Sequence, residues 1–158
     1  MTINFQIQAL AKQDFQSLMA LDDIALASHH ARWVSVDAEP GYPCRVSLTD
    51  AAVGERVLGL SFEHQPASSF YRAAGPIFVR EFAAQATPAI NQIPQFLRHR
   101  TLSLRAYTSD HLMLDAKVVK GSELESAINA LFGEHDLAYI HIHNAGPGCF
   151  MCAVLPVK

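Results

Sequence analysis

Alternating hydrophobic and polar residues predict β-strands along much of this chain. Successive side chains of a strand point to opposite faces of its sheet, so a strand with one buried face has a period of two residues. Residues 56–64 and 101–107 follow this period most clearly, and residues 138–144 also follow it before a Gly-Pro-Gly turn. Shorter extended segments are predicted at residues 3–8, 33–36, 44–48, 77–81, 112–119 and 150–155.

Two segments have the spacing of a helix instead. An imperfect apolar stripe predicts a helix that begins near Asp14 and kinks or restarts at Asp22-Asp23. Residues 122–132 predict the second helix. Its end signals are an N-terminal capping box and a C-terminal glycine: Ser122, Glu125 and Gly133. Many strands with two main helices predict an α+β fold on a mostly antiparallel sheet.

Composition narrows the class of protein. A length of 158 residues without repeats or a linker-like segment predicts a single domain over residues 1–158. A net charge of −3 argues against a nucleic-acid binder. No apolar run reaches the roughly 18 residues of a membrane span, and no signal peptide is recognisable. Three cysteines indicate free thiols and a cytoplasmic location rather than a disulfide framework.

The most informative chemical feature is a pair of histidines on one predicted strand. Tyr139, His141 and His143 should stand in one row, because they alternate with apolar residues. Two imidazoles at this spacing suit two metal ligands, or a general base beside an oxyanion donor. A merely solvated strand face is the alternative. Asn144, which follows, could orient a substrate or complete the turn.

Two cysteines each follow a segment that contains proline and glycine. Cys44 follows Pro40-Gly41-Tyr42-Pro43, and Cys149 follows Pro147-Gly148. A thiol just beyond a tight turn can be surrounded by N–H donors, which makes both cysteines candidate nucleophiles. Packing beneath a loop is the alternative for each of them. Cys152 completes a C-x-x-C spacing, but it falls within a predicted strand and should lie in the core.

Arginine is the only cation between positions 13 and 116. Its planar fork suits carboxylate or phosphate, so several arginines in one place would indicate an anion site, whereas structural ion pairs would explain single ones. His64 ends an otherwise apolar strand face, as a core histidine or as part of the site. The candidate substrate-binding residues are Arg45, His64, Arg80, Arg105, Tyr107 and Asn144.

Four blocks of the sequence resemble one bacterial family, domain-of-unknown-function family 1203. The blocks are residues 40–48, 75–80, 102–107 and 141–150. The resemblance implies a small, stand-alone, cytoplasmic bacterial protein, and it implies no particular reaction. It also supports treating the histidines, arginines and cysteines of these blocks as one set.

These observations leave three hypotheses open. The first is a small enzyme that acts on an anionic small molecule, with His141 or His143 transferring protons, arginines binding the anion, and Cys44 or Cys149 as nucleophile. The second is a zinc-type metal site built from the histidines and a cysteine. The third is a non-catalytic domain that binds a ligand or forms a homodimer through an edge strand. No cofactor is assigned, and whether a metal is bound is left open.

Overall fold

Two five-stranded β-sheets make up most of the structure, a computed structural model that describes residues 2–158. The strands of sheet A lie in the order β1 (Phe5–Gln8), β10 (Phe150–Pro156), β9 (Tyr139–Asn144), β7 (Thr101–Tyr107) and β8 (Met113–Lys120). The strands of sheet B lie in the order β2 (Ala31–Ser35), β5 (Arg56–Gln65), β6 (Ala73–Arg80), β3 (Pro43–Cys44) and β4 (Thr49–Asp50). Every pairing is antiparallel except that of β3 with β6.

Three α-helices complete the fold. They are α1 (Gln13–Met19), α2 (Asp23–Ser28) and α3 (Leu124–Glu134). Short 3-10 turns occupy Gln95–Leu97 and Gly121–Glu123. Among residues 2–158, no helix is both long and apolar enough to span a membrane.

Sheet A buries one face against α3 and presents the other to the end of β5. Leu104, Ile140 and Ile142 are fully buried in the same core cluster as Ile128 and Leu131 of α3. Because strand residues alternate, the intervening residues of β7 and β9 project from the opposite face. That face carries Ser103, Arg105, Tyr107, Tyr139, His141 and His143. The predicted row of one tyrosine and two histidines is therefore present.

A second core cluster belongs to sheet B. Leu58 and Ile77 from β5 and β6 pack with Phe15 of α1 and Leu26 of α2. Cys44 belongs to this cluster and is fully buried. Burial of each large apolar side chain contributes roughly 1.5–3 kcal/mol, so these contacts fix the position of the chain that carries Cys44 and Arg45.

The predicted α+β class is confirmed, with mostly antiparallel sheets and two main helical regions. The predicted restart of the first helix is also confirmed. Asp22 caps α2, because its Oδ1 accepts a hydrogen bond from the Ala25 backbone N–H at 2.9 Å. The extended segment predicted at residues 44–48 is wrong beyond Cys44. The chain turns there, with the Leu48 N–H donating to the Cys44 carbonyl at 3.0 Å. Thr49-Asp50, just beyond this turn, forms the short strand β4.

The predicted end signals of α3 are also wrong. Glu123 reaches back to the Lys120 N–H at 3.4 Å, whereas no capping hydrogen bond from Ser122 is present within residues 2–158. Glu125 instead pairs with Arg98 across the chain, at 2.6 and 2.8 Å. Gly133 lies inside α3 rather than beyond its end.

The position of Gly133 yields a stability prediction. Gly133 is an exposed residue of α3, and a Cβ built on it meets nothing within 4 Å. Gly133→Ala is therefore expected to raise the free energy of unfolding by about 0.5–1 kcal/mol, because alanine loses less backbone entropy in a helix. Gly54→Ala is the matched control. Gly54 also has open space but a φ of +96°, so alanine should destabilise the protein. Urea unfolding of both variants measures this, and a destabilised Gly133→Ala would contradict it.

Candidate functional site

Three imidazole rings meet where the end of β5 crosses the polar face of β9. The ring centroids of His64 and His143 are 5.0 Å apart, and His141 lies 6.2 Å from His143 and 6.3 Å from His64. The Phe150 ring stacks on His64 at 5.4 Å with an interplanar angle of 11°. We call His64, His141 and His143 the histidine cluster.

Most of the histidine cluster is removed from solvent. His143 has 0% and His141 7% of its surface exposed, while His64 is half-buried. The Nδ1 atom of His143 is 2.9 Å from the Gly148 carbonyl oxygen. Each ring also has one buried nitrogen without a hydrogen-bond partner: Nδ1 of His64, Nδ1 of His141 and Nε2 of His143. Among residues 2–158, no other buried side-chain nitrogen or oxygen atom lacks a hydrogen-bond partner.

Burial keeps the clustered rings neutral. The pKa of His141 is lowered to about 3, first by desolvation and then by the neighbouring His143, His64 and Arg105. Desolvation also lowers the pKa of His143 to about 4, although the Gly148 carbonyl acts in the opposite direction. The pKa of His64 is lowered as well, by burial and then by Arg105. These rings act as neutral imidazoles at pH 7, which argues against proton exchange near neutrality.

The cluster is open to solvent on one side. A cleft of about 360 Å³ is bounded by polar and aromatic residues and by a few apolar ones; the former are Gln8, His64, Gln65, His111, Tyr139 and His141. The Tyr139 hydroxyl accepts a hydrogen bond from Gln65 Nε2 at 2.9 Å and lies 2.8 Å from His111 Nδ1. We call this the histidine cleft. No sequence motif marks Gln65 or His111, because only the fold brings these residues to Tyr139.

A second cleft of about 350 Å³ lies at the turn between β9 and β10. Its polar lining consists of Arg45, Arg100, Asn144 and Cys149. The rest of its lining is glycine, proline and phenylalanine: Gly41, Pro43, Pro76, Phe78 and Pro147. We call this the turn cleft.

Arg45 is the central residue of the turn cleft. It is 1% exposed, and its Nε donates to the Phe150 carbonyl at 2.7 Å while Nη1 donates to the Pro43 carbonyl at 2.6 Å. Burial lowers its pKa, and the neighbouring Cys149 raises it. No ion pair within residues 2–158 includes Arg45. Its charge is therefore held by neutral carbonyl groups.

The positive charge of Arg100, the other arginine of the turn cleft, is neutralised by Asp50. Arg100 donates to both carboxylate oxygens of Asp50, at 2.5 and 3.2 Å, and His99 contacts the same carboxylate at 2.9 Å. Arg100 therefore lines the turn cleft as a neutralised side chain, whereas Arg45 provides a positive charge without a carboxylate partner.

Cys149 is the accessible thiol of the turn cleft. It is half-buried, and its Sγ accepts a hydrogen bond from Asn144 Nδ2 at 3.1 Å. The Asn144 backbone N–H also donates to the Cys149 carbonyl at 2.9 Å. Asn144 thus closes the turn and fixes the position of the sulfur.

Other candidate residues lie elsewhere. Cys44 is fully buried, and its Sγ accepts from the Ser47 and Arg80 backbone N–H groups at 3.4 and 3.3 Å. Arg80 pairs with Glu55 at 2.7 Å near the beginning of β5, far from His64 at its end. Cys152 lies in the core as expected, where burial raises its pKa to about 12.

Arg105 and Tyr107 border the histidine cluster without lining either cleft. Arg105 lies opposite His141 in the register of β7 and β9, and its Nε is 3.4 Å from Ser103 Oγ. Tyr107 is 3% exposed and stacks on Tyr139 at 5.1 Å. The single set expected from the sequence is thus split: His64 and His141 line the histidine cleft, Arg45, Asn144 and Cys149 line the turn cleft, and the remaining members line neither. His143 and Phe150 are buried.

One further group of potential metal ligands lies on the surface. The ligand atoms of Asp115, Glu134 and His135 all lie within 4.8 Å of one another. His135 contacts Asp115 at 3.2 Å, and Glu134 lies 3.6 Å from Lys117. The potential ligands of this group therefore already have partners: His135 contacts Asp115, and Glu134 pairs with Lys117.

The fold and the two clefts define an α+β protein with two sheets, in which a histidine cluster lies beside a buried, unpaired arginine. A family profile described as "Protein of unknown function (DUF1203)" matches residues 41–155. The chain belongs to this family, as the four sequence blocks predicted. Comparison with curated proteins and with solved structures gives no match.

Proposed function

We propose that this protein is an enzyme that binds an anionic small molecule in the turn cleft, with Arg45 as the anion-binding residue and Cys149 as the reacting group. The observation that carries the proposal is a fully buried guanidinium without a carboxylate partner, at the wall of an open cleft. A carboxylate or phosphate group on the substrate supplies the missing charge.

The energetic cost of an unpaired buried charge supports an anionic ligand. Removing a cation from water costs several kcal/mol unless a counter-charge or excellent hydrogen bonds replace the solvent. Arg45 has two carbonyl acceptors, and the ionisable groups that act on its charge are Cys149, Cys44 and Arg100. None of these three is a carboxylate. Two oxygens of a carboxylate or phosphate group match the remaining donors of the guanidinium fork.

The surroundings of Cys149 support its role as the reacting group. Its sulfur accepts an N–H donor from Asn144 and lies beside the Arg45 cation, and both are partners that a thiolate binds. The other two cysteines are fully buried, so Cys149 is the thiol that a substrate in the turn cleft can reach. The histidines take no part in this proposal, because His141 opens onto the other cleft and His143 is enclosed.

Alkylation of the native protein tests the proposal. Iodoacetate and iodoacetamide differ in charge, and each forms an S–C bond with the thiolate while iodide leaves. At Cys149, the rate constant for iodoacetate divided by that for iodoacetamide should be at least about tenfold higher in the folded protein than in urea-unfolded protein. The reason is that a charge-assisted hydrogen bond between Arg45 and the carboxylate of iodoacetate contributes about 1.5–3 kcal/mol. Site-resolved mass spectrometry measures both rates, and Cys44 and Cys152, which are buried in the folded protein, should react only after unfolding.

If the iodoacetate-to-iodoacetamide rate ratio were equal in the folded and unfolded protein, Arg45 would not be the anion-binding residue. Slow alkylation of Cys149 combined with saturable anion binding would instead support a non-catalytic ligand-binding domain. The cytoplasmic location, bacterial origin and homodimer remain predictions that these experiments do not address.

A further inference from the structure

We infer that the histidine cluster is a binding site for a zinc-type divalent cation, held by His64, His141 and His143 and reached through the histidine cleft. This site is separate from the anion-binding turn cleft of the proposed function. The inference rests on which nitrogen atoms lack partners and on what kind of partner they accept.

The tautomer of His143 decides the chemistry of the cluster. A carbonyl oxygen only accepts hydrogen bonds, so the 2.9 Å contact with the Gly148 carbonyl requires a proton on Nδ1 of His143. The neutral ring then has a lone pair on Nε2, which is buried and has no partner. An anion cannot satisfy a lone pair, whereas a cation or an N–H or O–H donor can. An Nδ1–H···O=C contact is also the usual support of a metal-binding histidine.

The other two rings provide matching nitrogens. His141 is 7% exposed and its Nδ1 has no partner, and the Nδ1 of the half-buried His64 is equally unpartnered. Their rings lie 6.2 and 5.0 Å from that of His143. Three neutral imidazoles are the ligand set of a zinc ion that keeps one position open. The histidine cleft gives small molecules access to that position.

Binding requires the cluster to contract. Ligand nitrogens of tetrahedral zinc lie about 3.4 Å apart, given Zn–N distances of about 2.0–2.1 Å. The histidine cluster is not among the groups whose ligand atoms all lie within 4.8 Å. No hydrogen bond holds Nδ1 of His64 or His141, so rotation of these side chains can close the gap. The charge of Arg105 opposes a cation, and an anionic fourth ligand would offset it.

Zinc titration of chelator-treated protein that carries no histidine tag tests the inference. We expect one zinc ion per chain by calorimetry, and a cobalt(II) absorption spectrum typical of tetrahedral coordination. His64→Ala removes a half-buried ligand at a strand end, so the variant should fold and bind zinc at least tenfold more weakly. Cys149→Ser should bind as the native protein does.

The surface group provides the matched control. His135→Ala removes the histidine of the Asp115, Glu134 and His135 group and should leave zinc affinity unchanged. Loss of binding in His135→Ala but not in His64→Ala would overturn the inference, as would the absence of stoichiometric binding. Neither outcome bears on the turn cleft, because the alkylation ratio at Cys149 is measured without metal.

Discussion

Arg45→Met is expected to remove the preference of Cys149 for iodoacetate over iodoacetamide, returning the ratio of rate constants to that of unfolded protein. The change should be about tenfold to a hundredfold, because the variant loses a charge-assisted hydrogen bond of about 1.5–3 kcal/mol to the reagent's carboxylate. The reaction with neutral iodoacetamide should change less. Site-resolved mass spectrometry of Cys149 measures both rates.

Arg45→Lys is the matched control for charge. Lysine keeps the positive charge but lacks the planar fork that contacts the Phe150 and Pro43 carbonyls. We expect it to keep part of the preference. Circular dichroism checks whether each variant is folded. Competition by phosphate in the native protein provides a second test, which needs no variant. A native-like ratio in folded Arg45→Met would refute the role of Arg45.

Acidification is expected to destabilise the metal-free protein strongly. The pKa values of His141 and His143 are about 3 and about 4 in the folded state, below the ordinary histidine value of 6.5. Between pH 6.5 and pH 4 the unfolded chain therefore binds more protons, so stability falls as the pH falls. At pH 5 the loss relative to neutral pH is up to about 4 kcal/mol for two independent groups.

Urea unfolding of chelator-treated protein at a series of pH values measures this loss. His141→Gln should roughly halve the slope of stability against pH in this interval, because one of the two histidines with the largest pKa shifts is gone. His135→Gln serves as the control, since His135 lies on the surface beside Asp115. A stability that stays constant from pH 7 to pH 5 would contradict the burial of neutral imidazoles.

Local pattern was sufficient to predict most of the sheets. In residues 101–107 and 138–144, strict alternation determines which side chains are buried when one face of the sheet packs on a helix. The strands β7 and β9 have the predicted faces. The short strands β3 and β4 could not be predicted from local pattern, because each has two residues and β3 depends on pairing with the distant strand β6. The capping box predicted for the N-terminal end of α3 is absent because Glu125 pairs with Arg98, a contact that sequence spacing cannot reveal.

The candidate site was predictable by residue type but not by arrangement. The row of His141 and His143 followed from period-two geometry, and His64 joins it only because β5 crosses that face of sheet A. Cys44 and Cys149 follow similar proline- and glycine-containing segments, yet one lies in the core and the other in a cleft. The difference arises because the chain turns directly after Cys44, whose thiol packs with the core of sheet B.

The most direct test of the turn cleft is protection of Cys149 by inorganic phosphate. Native protein is alkylated with neutral iodoacetamide at increasing phosphate, and sodium chloride at matched ionic strength separates specific binding from screening. We predict saturable protection at Cys149 that chloride does not reproduce and that is lost in Arg45→Met. Alkylation that proceeds equally fast in phosphate and chloride would contradict an anion site at Arg45.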